Sequence, residues 1–144
     1  MHKYLVIGNP IEHSHSPLLH NYWFKKHGIL NSTYEKRKVD KEDLKEIVQQ
    51  IKNGKIKGVN ITVPFKREIL NYIDDYSNDV KLTNSVNTLI KENNKVVGYN
   101  TDQAGFEISL HENNWKLRNK KILILGAGGV TPSILLSFIQ PKAN

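Results

Sequence analysis

Apolar residues come in short bursts separated by polar turns, and the spacing inside each burst predicts an element. Tyr4-Leu-Val-Ile7 is a continuous apolar run that ends in Gly8-Asn9-Pro10, the pattern of a buried strand entering a loop. Ser16-Pro17 is expected to open a helix, with serine as N-cap and proline at the first helical position. Leu18, Leu19, Tyr22 and Trp23 are read as the apolar stripe of that helix, and Gly28 as its stop. Ser32 to Val39 alternates mildly and predicts a second strand. Asp40 caps a helix in which Leu44, Ile47, Val48 and Ile51 fall at i, i+3, i+4 and i+7. In Gly58 to Val63, Val59, Ile61 and Val63 share one strand face, with Asn60 and Thr62 on the other.

Pro64 ends that strand, and short helices are expected over Lys66 to Ile73 and Asp79 to Thr83. Val86 to Lys91 and Lys95 to Tyr99 bracket Asn93-Asn94, a hairpin turn. Thr101-Asp102 caps a helix to about Glu112, with Phe106 and Leu110 inward. A polar stretch then leads to a strong strand signal at Ile122-Leu-Ile-Leu125, the turn Gly126-Ala127-Gly128-Gly129, and a helix from Pro132 to about Ile139, ended by Pro141. The order β-α-β-α-β-α-β-β-α, then β-α, predicts an α/β fold with a mostly parallel sheet and helices on both faces. The final βα pair is an incomplete Rossmann unit, since a Rossmann half needs about three strands.

Composition changes this picture little. At 144 residues the chain suits one domain or one plus a fragment. Cysteine is absent, which excludes disulfides, thiolate nucleophiles and cysteine-based metal sites. The net charge is +7, carried by 18 lysines and only three arginines (Arg37, Arg67 and Arg118). Nucleic-acid readers lean on arginine forks with interleaved aromatics. Lysines scattered over helices and turns read instead as a solvated surface, with no nucleic-acid or membrane partner. No apolar run reaches the length of a membrane span, and a cytoplasmic protein is expected.

Candidate chemistry gathers at the C-terminal ends of the predicted strands, where α/β folds place their sites. After the first strand, Ser14 and Ser16 offer hydroxyls beside a helix N-terminus, which suits a carboxylate or phosphate; the alternative is a turn residue and a simple cap. His13 and His15 have no third ligand nearby, so no metal is expected. Asn60, Thr62 and Lys66 straddle Pro64, and Lys66 is either a surface cation or an acid–base group in a cleft. Asn87 and Asp102 stand at two further element ends, with turn and cap roles as their simpler readings. Gly126, Ala127, Gly128 and Gly129 lie between strand and helix, the context of a dinucleotide-binding loop, although Thr131 occupies the third glycine position.

Together these segments resemble shikimate dehydrogenases. The resemblance is carried by Gly8-Asn-Pro-Ile-Glu-His-Ser-His-Ser-Pro17, Gly58-Val-Asn-Ile-Thr-Val-Pro-Phe-Lys66, Ser85-Val-Asn-Thr-Leu89, Gly98-Tyr-Asn-Thr-Asp102 and Leu125-Gly-Ala-Gly-Gly129. It implies a substrate-binding domain over residues 1–118 and the opening of an NADP-binding Rossmann domain over 119–144. The implied activity is NADPH-dependent reduction of 3-dehydroshikimate to shikimate, on the route to chorismate and aromatic amino acids. By the same resemblance Ser14 and Ser16 hold the substrate carboxylate, Thr62, Asn87 and Asp102 contact ring hydroxyls with Asn60 close by, and Lys66 and Asp102 form the catalytic pair. Gly126 to Gly129 match the cofactor loop.

The resemblance reaches only the entry of the cofactor domain, so weak or absent activity is expected of these residues alone. An NAD-using quinate/shikimate dehydrogenase and a non-catalytic module binding shikimate-like acids are the competing expectations. A strand and an apolar helix that have lost their sheet predict self-association through residues 120–140, with packing back onto the first domain as the competing outcome.

Overall fold

The computed structural model describes residues 1–117 and 119–139. Six strands form one sheet: β1 (His2–Gly8), β2 (Ser32–Lys38), β3 (Gly58–Ile61), β4 (Asp75–Tyr76), β5 (Thr88–Glu92) and β6 (Lys95–Tyr99). Their order is β2-β1-β3-β5-β6-β4. Every strand but β5 runs the same way: β1 is parallel to β2 and β3, β5 is antiparallel to β3 and β6, and β4 is parallel to β6. The sheet is therefore mostly parallel, as expected, with one reversed strand set into its middle. Among the described residues five α-helices accompany it: α1 (Ser16–Lys26), α2 (Leu44–Lys52), α3 (Asn78–Thr83), α4 (Asp102–Glu112) and α5 (Thr131–Ile139).

Helices cover both faces. Leu44, Ile47, Val48 and Ile51 of α2 are all buried and join Leu5, Ile7, Val59, Ile61 and Leu89 in the main core. On the opposite face Val6, Ile11 and Tyr34 form a smaller core, with Tyr4 and Phe24 packed against it. The alternation along β1 thus feeds two cores, Leu5 and Ile7 to one and Val6 to the other. At the β5–β6 turn Asn93 and Asn94 both have positive φ, 46° and 65°, as a primed hairpin turn demands.

Several expected elements differ. The stripe Leu18, Leu19, Tyr22 and Trp23 faces solvent, and α1 buries none of its residues fully. The helix is instead bound through Asn21, whose amide donates to the Tyr34 carbonyl at 2.8 Å and accepts the Tyr34 N–H at 2.9 Å. His20 stacks on the Tyr34 ring at 4.1 Å, and the Phe24 ring meets Tyr4 at 5.6 Å. Ser16 is the first helical residue rather than the cap. His15 occupies the cap position, and Ser14 Oγ accepts the Ser16 N–H at 3.3 Å. Asp40 opens a 3-10 turn, Lys41–Asp43, before α2 begins, and a 3-10 turn over Glu68–Asn71 replaces the short helix after Lys66. Val63 lies past the end of β3 and is exposed.

The largest correction is at Ile122 to Leu125, which forms no strand; Leu123 and Leu125 are 82% and 88% exposed. Strand character is realised only when backbone N–H and C=O groups find a ladder partner, and the sheet ends at β2 and β4. The helix that follows does form, and packs on α4, with Phe138 meeting the Phe106 ring edge-on at 5.7 Å. Phe106 and Leu110 are half-buried rather than core residues. The stop expected at Pro141 lies outside the described residues.

Candidate functional site

With β5 reversed, its N-terminal end lies beside the C-terminal ends of β3 and β6, because Thr88 pairs with Asn60 and with Tyr99. Asn60, Lys66, Asn87 and Asp102 consequently come from four chain segments to one end of the central strands. Lys66 is set there by its neighbours. Phe65 is buried in the main core, and the Lys66 carbonyl accepts the Val86 N–H at 2.7 Å. Its ammonium donates to Asp102 Oδ2 at 2.6 Å. The two side chains are only 15% and 19% exposed, so the pair is shielded more than a surface ion pair.

Asn87 holds the carboxylate from the other side. Its amide Nδ2 donates to Asp102 Oδ1 and to Thr101 Oγ1, both at 2.9 Å. Its Oδ1 accepts from the Thr101 N–H at 3.1 Å and the Thr88 hydroxyl at 3.0 Å. Asn60 continues the network: its amide donates to Thr88 Oγ1 at 3.0 Å and to the Asn87 carbonyl at 3.2 Å. The Tyr34 hydroxyl donates to Asn60 Oδ1 at 2.6 Å. A continuous hydrogen-bonded path thus runs from Tyr34 through Asn60, Thr88, Asn87 and Asp102 to Lys66. Burial pushes the Tyr34 phenol up to about 12, so it stays a donor at neutral pH, and burial also holds the His20 imidazole below its ordinary value.

Asp102 stands in the first turn of α4. The Asn100 carboxamide oxygen accepts the Asp102 N–H at 2.9 Å, an Asx turn that sets the carboxylate's approach to Lys66. Thr62 and Lys66 line a cavity of about 550 Å³ together with Val63, Pro64, Ala127, Gly128 and Gly129. The glycine loop therefore faces the Lys66 side chain across one hollow. A Cβ at Gly129 would lie 3.6 Å from the Lys66 Cδ, and Gly126 takes φ +109°. Nothing lies within 4 Å of a Cβ at Gly126 or Gly128, so the loop that leads into α5 keeps an open cradle, a fit for a phosphate group.

Ser14, on the adjoining strand-end loop, and Ser16, at the first position of α1, are half-buried. That loop is tied to the Lys66 loop by the Asn9 N–H on the Val63 carbonyl at 3.0 Å. A Cβ on Gly8 would sit 2.5 Å from Thr62 Cγ2 and 2.9 Å from the Val63 carbonyl, so this close approach requires glycine. Among the described residues neither serine bonds to Lys66, Asn87 or Asp102. His13 and His15 are exposed, and no group of three potential metal ligands occurs among the described residues. The sequence assigns no site role to Tyr34, Thr88, Asn100 or Thr101. Thr88, Asn100 and Thr101 sit inside the two motifs that contain Asn87 and Asp102, while Tyr34 offers only an aromatic on an alternating strand.

A family model described as the shikimate dehydrogenase substrate binding domain matches residues 6–89. The shikimate dehydrogenase (NADP(+)) of Pelagibacter ubique is 50% identical over 134 residues, 93% of this chain and 50% of that enzyme. Shikimate dehydrogenase 1 of Peptoclostridium difficile superposes with a TM-score of 0.89 at 35% identity, over 96% of this chain and 52% of its own. The Thermus thermophilus enzyme, solved in complex with shikimate, gives 0.88 at 29% identity, over the same two fractions. The chain spans about half the length of the relatives it matches.

Proposed function

The chain belongs to the shikimate dehydrogenase family through its substrate-binding domain, and from that premise we propose that its strand-end cleft binds shikimate and 3-dehydroshikimate for NADP-dependent interconversion. The observation that carries the reading is the shielded Lys66–Asp102 pair, 2.6 Å apart, in a hollow shared with the glycine loop. NADPH, when bound, supplies hydride, and Gly126 to Gly129 would hold its pyrophosphate at the start of α5. As the C3 carbonyl becomes an alcohol its oxygen needs a proton. The Lys66 ammonium is the donor within reach, and its hydrogen bond to Asp102 keeps it aimed. Asn87 fixes the other carboxylate oxygen, so Asp102 cannot turn away. Ser14 and Ser16 take the substrate carboxylate, Thr62 a ring hydroxyl, and Asn60 stands behind them as a support engaged with Tyr34 and Thr88.

In this reading residues 1–118 bind substrate and 119–144 open a nucleotide-binding domain. The basic surface has no nucleic-acid or membrane role. No described helix is long and apolar enough to cross a membrane. Within the chain α5 packs back on α4, the competing outcome, while the exposed Leu123 and Leu125 support self-association through residues 120–140.

Calorimetric titration with shikimate tests the site. Saturable binding is expected, weakened about tenfold or more by Ser16→Ala, which removes a hydrogen bond to a charged group. In an intact, full-length enzyme Lys66→Ala is expected to lose NADPH-dependent turnover far more than shikimate affinity. A folded wild-type protein that binds no shikimate at millimolar concentration overturns the reading.

A further inference from the structure

The buried polar side chains among the described residues are Thr83, Ser85, Asn100 and Ser133, and all four belong to one cluster. Burying such groups is unfavourable unless each finds a partner. Here each does. The Asn100 amide Nδ2 donates to the Ser85 carbonyl at 2.9 Å, to Thr83 Oγ1 at 3.1 Å and to Ser133 Oγ at 3.2 Å, sharing two protons among three acceptors. The Thr83 hydroxyl donates to the Asp79 carbonyl at 2.7 Å. The Ser85 hydroxyl donates to the Gly129 carbonyl at 3.0 Å.

Helix α5 makes this arrangement unusual. Its sequence, Thr-Pro-Ser-Ile-Leu-Leu-Ser-Phe-Ile, is mostly apolar, yet its one fully buried residue is Ser133, while Leu135 and Ile139 are exposed. The helix is keyed to the sheet domain by a hydroxyl. The acceptor end of the same Asn100 carboxamide holds the Asp102 N–H. The loop that Ser85 grips lies against the Lys66 stem. One buried amide therefore touches the support of the carboxylate at one end and the anchor of the glycine loop's helix at the other.

We propose that Asn100, Ser85 and Ser133 form a polar latch that seats the glycine loop and α5 on the Lys66–Asp102 pair. They are positioning residues: none reaches the hollow, and each acts through Asp102 or Gly129. Loop placement and carboxylate placement become one event, because the amide cannot turn to serve one without disturbing the other. The functional consequence rests on the reading of Lys66 and Asp102 given above; the latch itself does not.

The test uses the 144-residue chain with Ser133→Ala and Ser85→Ala, and Ser137→Ala as control, since among the described residues Ser137 bonds only the Ser133 carbonyl within its own helix. Two ligand-free measurements are compared: amide hydrogen exchange of residues 130–139, and the Asp102 carboxyl carbon resonance, which reports its pairing with Lys66. Both latch variants are expected to speed exchange about tenfold, the equivalent of roughly one hydrogen bond, and to move the Asp102 resonance. The control should do neither. Latch variants that match the control overturn the proposal, as does faster exchange with an unmoved Asp102 resonance, which would make α5 docking purely structural. Shikimate titration separates the two readings. Failure of the wild type to bind counts against the proposed function alone, whereas equal affinity of wild type and Ser133→Ala counts against coupling through the latch.

Discussion

Tyr34→Phe removes one oxygen from the far end of the hydrogen-bonded path, and its effect can be worked at two pH values. At neutral pH the loss leaves Asn60 Oδ1 without its 2.6 Å donor in a half-buried place, a cost of about 1–2 kcal/mol. At high pH a second effect enters with opposite sign. The phenol is raised from 10.0 to about 12 by burial. The unfolded chain therefore releases this proton near 10, while the folded chain keeps it until about 12. The stabilisation tied to the neutral phenol is complete below about pH 10 and is lost as pH rises through about 12. Two pH units correspond to about 2.7 kcal/mol, which solvent screening reduces to about 1–2 kcal/mol. Urea unfolding of both proteins should show wild type ahead by about 1–2 kcal/mol at neutral pH, with the lead closing between about pH 10 and 12. The variant cannot titrate there, so the difference isolates Tyr34 from the other tyrosines and the lysines. A lead that stays constant through about pH 12, or no lead at about pH 7, would refute the account of a buried donor holding Asn60.

Other outcomes follow from the same geometry. Gly8→Ala forces a methyl to within 2.5 Å of Thr62 and 2.9 Å of the Val63 carbonyl, and should destabilise by about 1–3 kcal/mol in thermal unfolding while weakening shikimate binding through Thr62. Asn94→Gly, at φ 65°, should raise the urea midpoint by the equivalent of about 0.5 kcal/mol, because glycine adopts this turn without cost to a side chain. Sedimentation velocity should detect dimers or larger species that Leu123→Ser with Leu125→Ser disperses; a monodisperse wild-type monomer would refute association through residues 120–140.

How much was legible in the sequence depends on whether an element is held by local or by distant groups. The α2 stripe at i, i+3, i+4 and i+7 became the core face without correction, because apolar burial is what holds that helix. The α1 stripe misled because that helix is bound by an asparagine side chain bridging to the backbone of β2, an interaction that hydrophobic spacing does not encode. Ile122 to Leu125 has strand composition but no neighbouring strand among the described residues, and composition alone cannot supply one. The site divides in the same way. Its polar residues stood out at strand ends, where the fold gathers them. The groups behind them did not, since Asn100 and Ser133 are separated by 33 positions and Ser85 and Gly129 by 44.

The reversed strand bears on the order in which the site comes into being. Asn87 and Asp102 are 15 positions apart and flank a single hairpin, so closing the Asn93-Asn94 turn brings them together over a short loop. Lys66 meets Asp102 across 36 positions, and the strand before it, β3, docks on β1 only by a crossover of the chain. Short loops close at lower entropic cost and earlier than long ones. The carboxylate and its amide clamp are thus joined across one short hairpin, whereas the lysine is tied to them only by a contact that closes a longer loop.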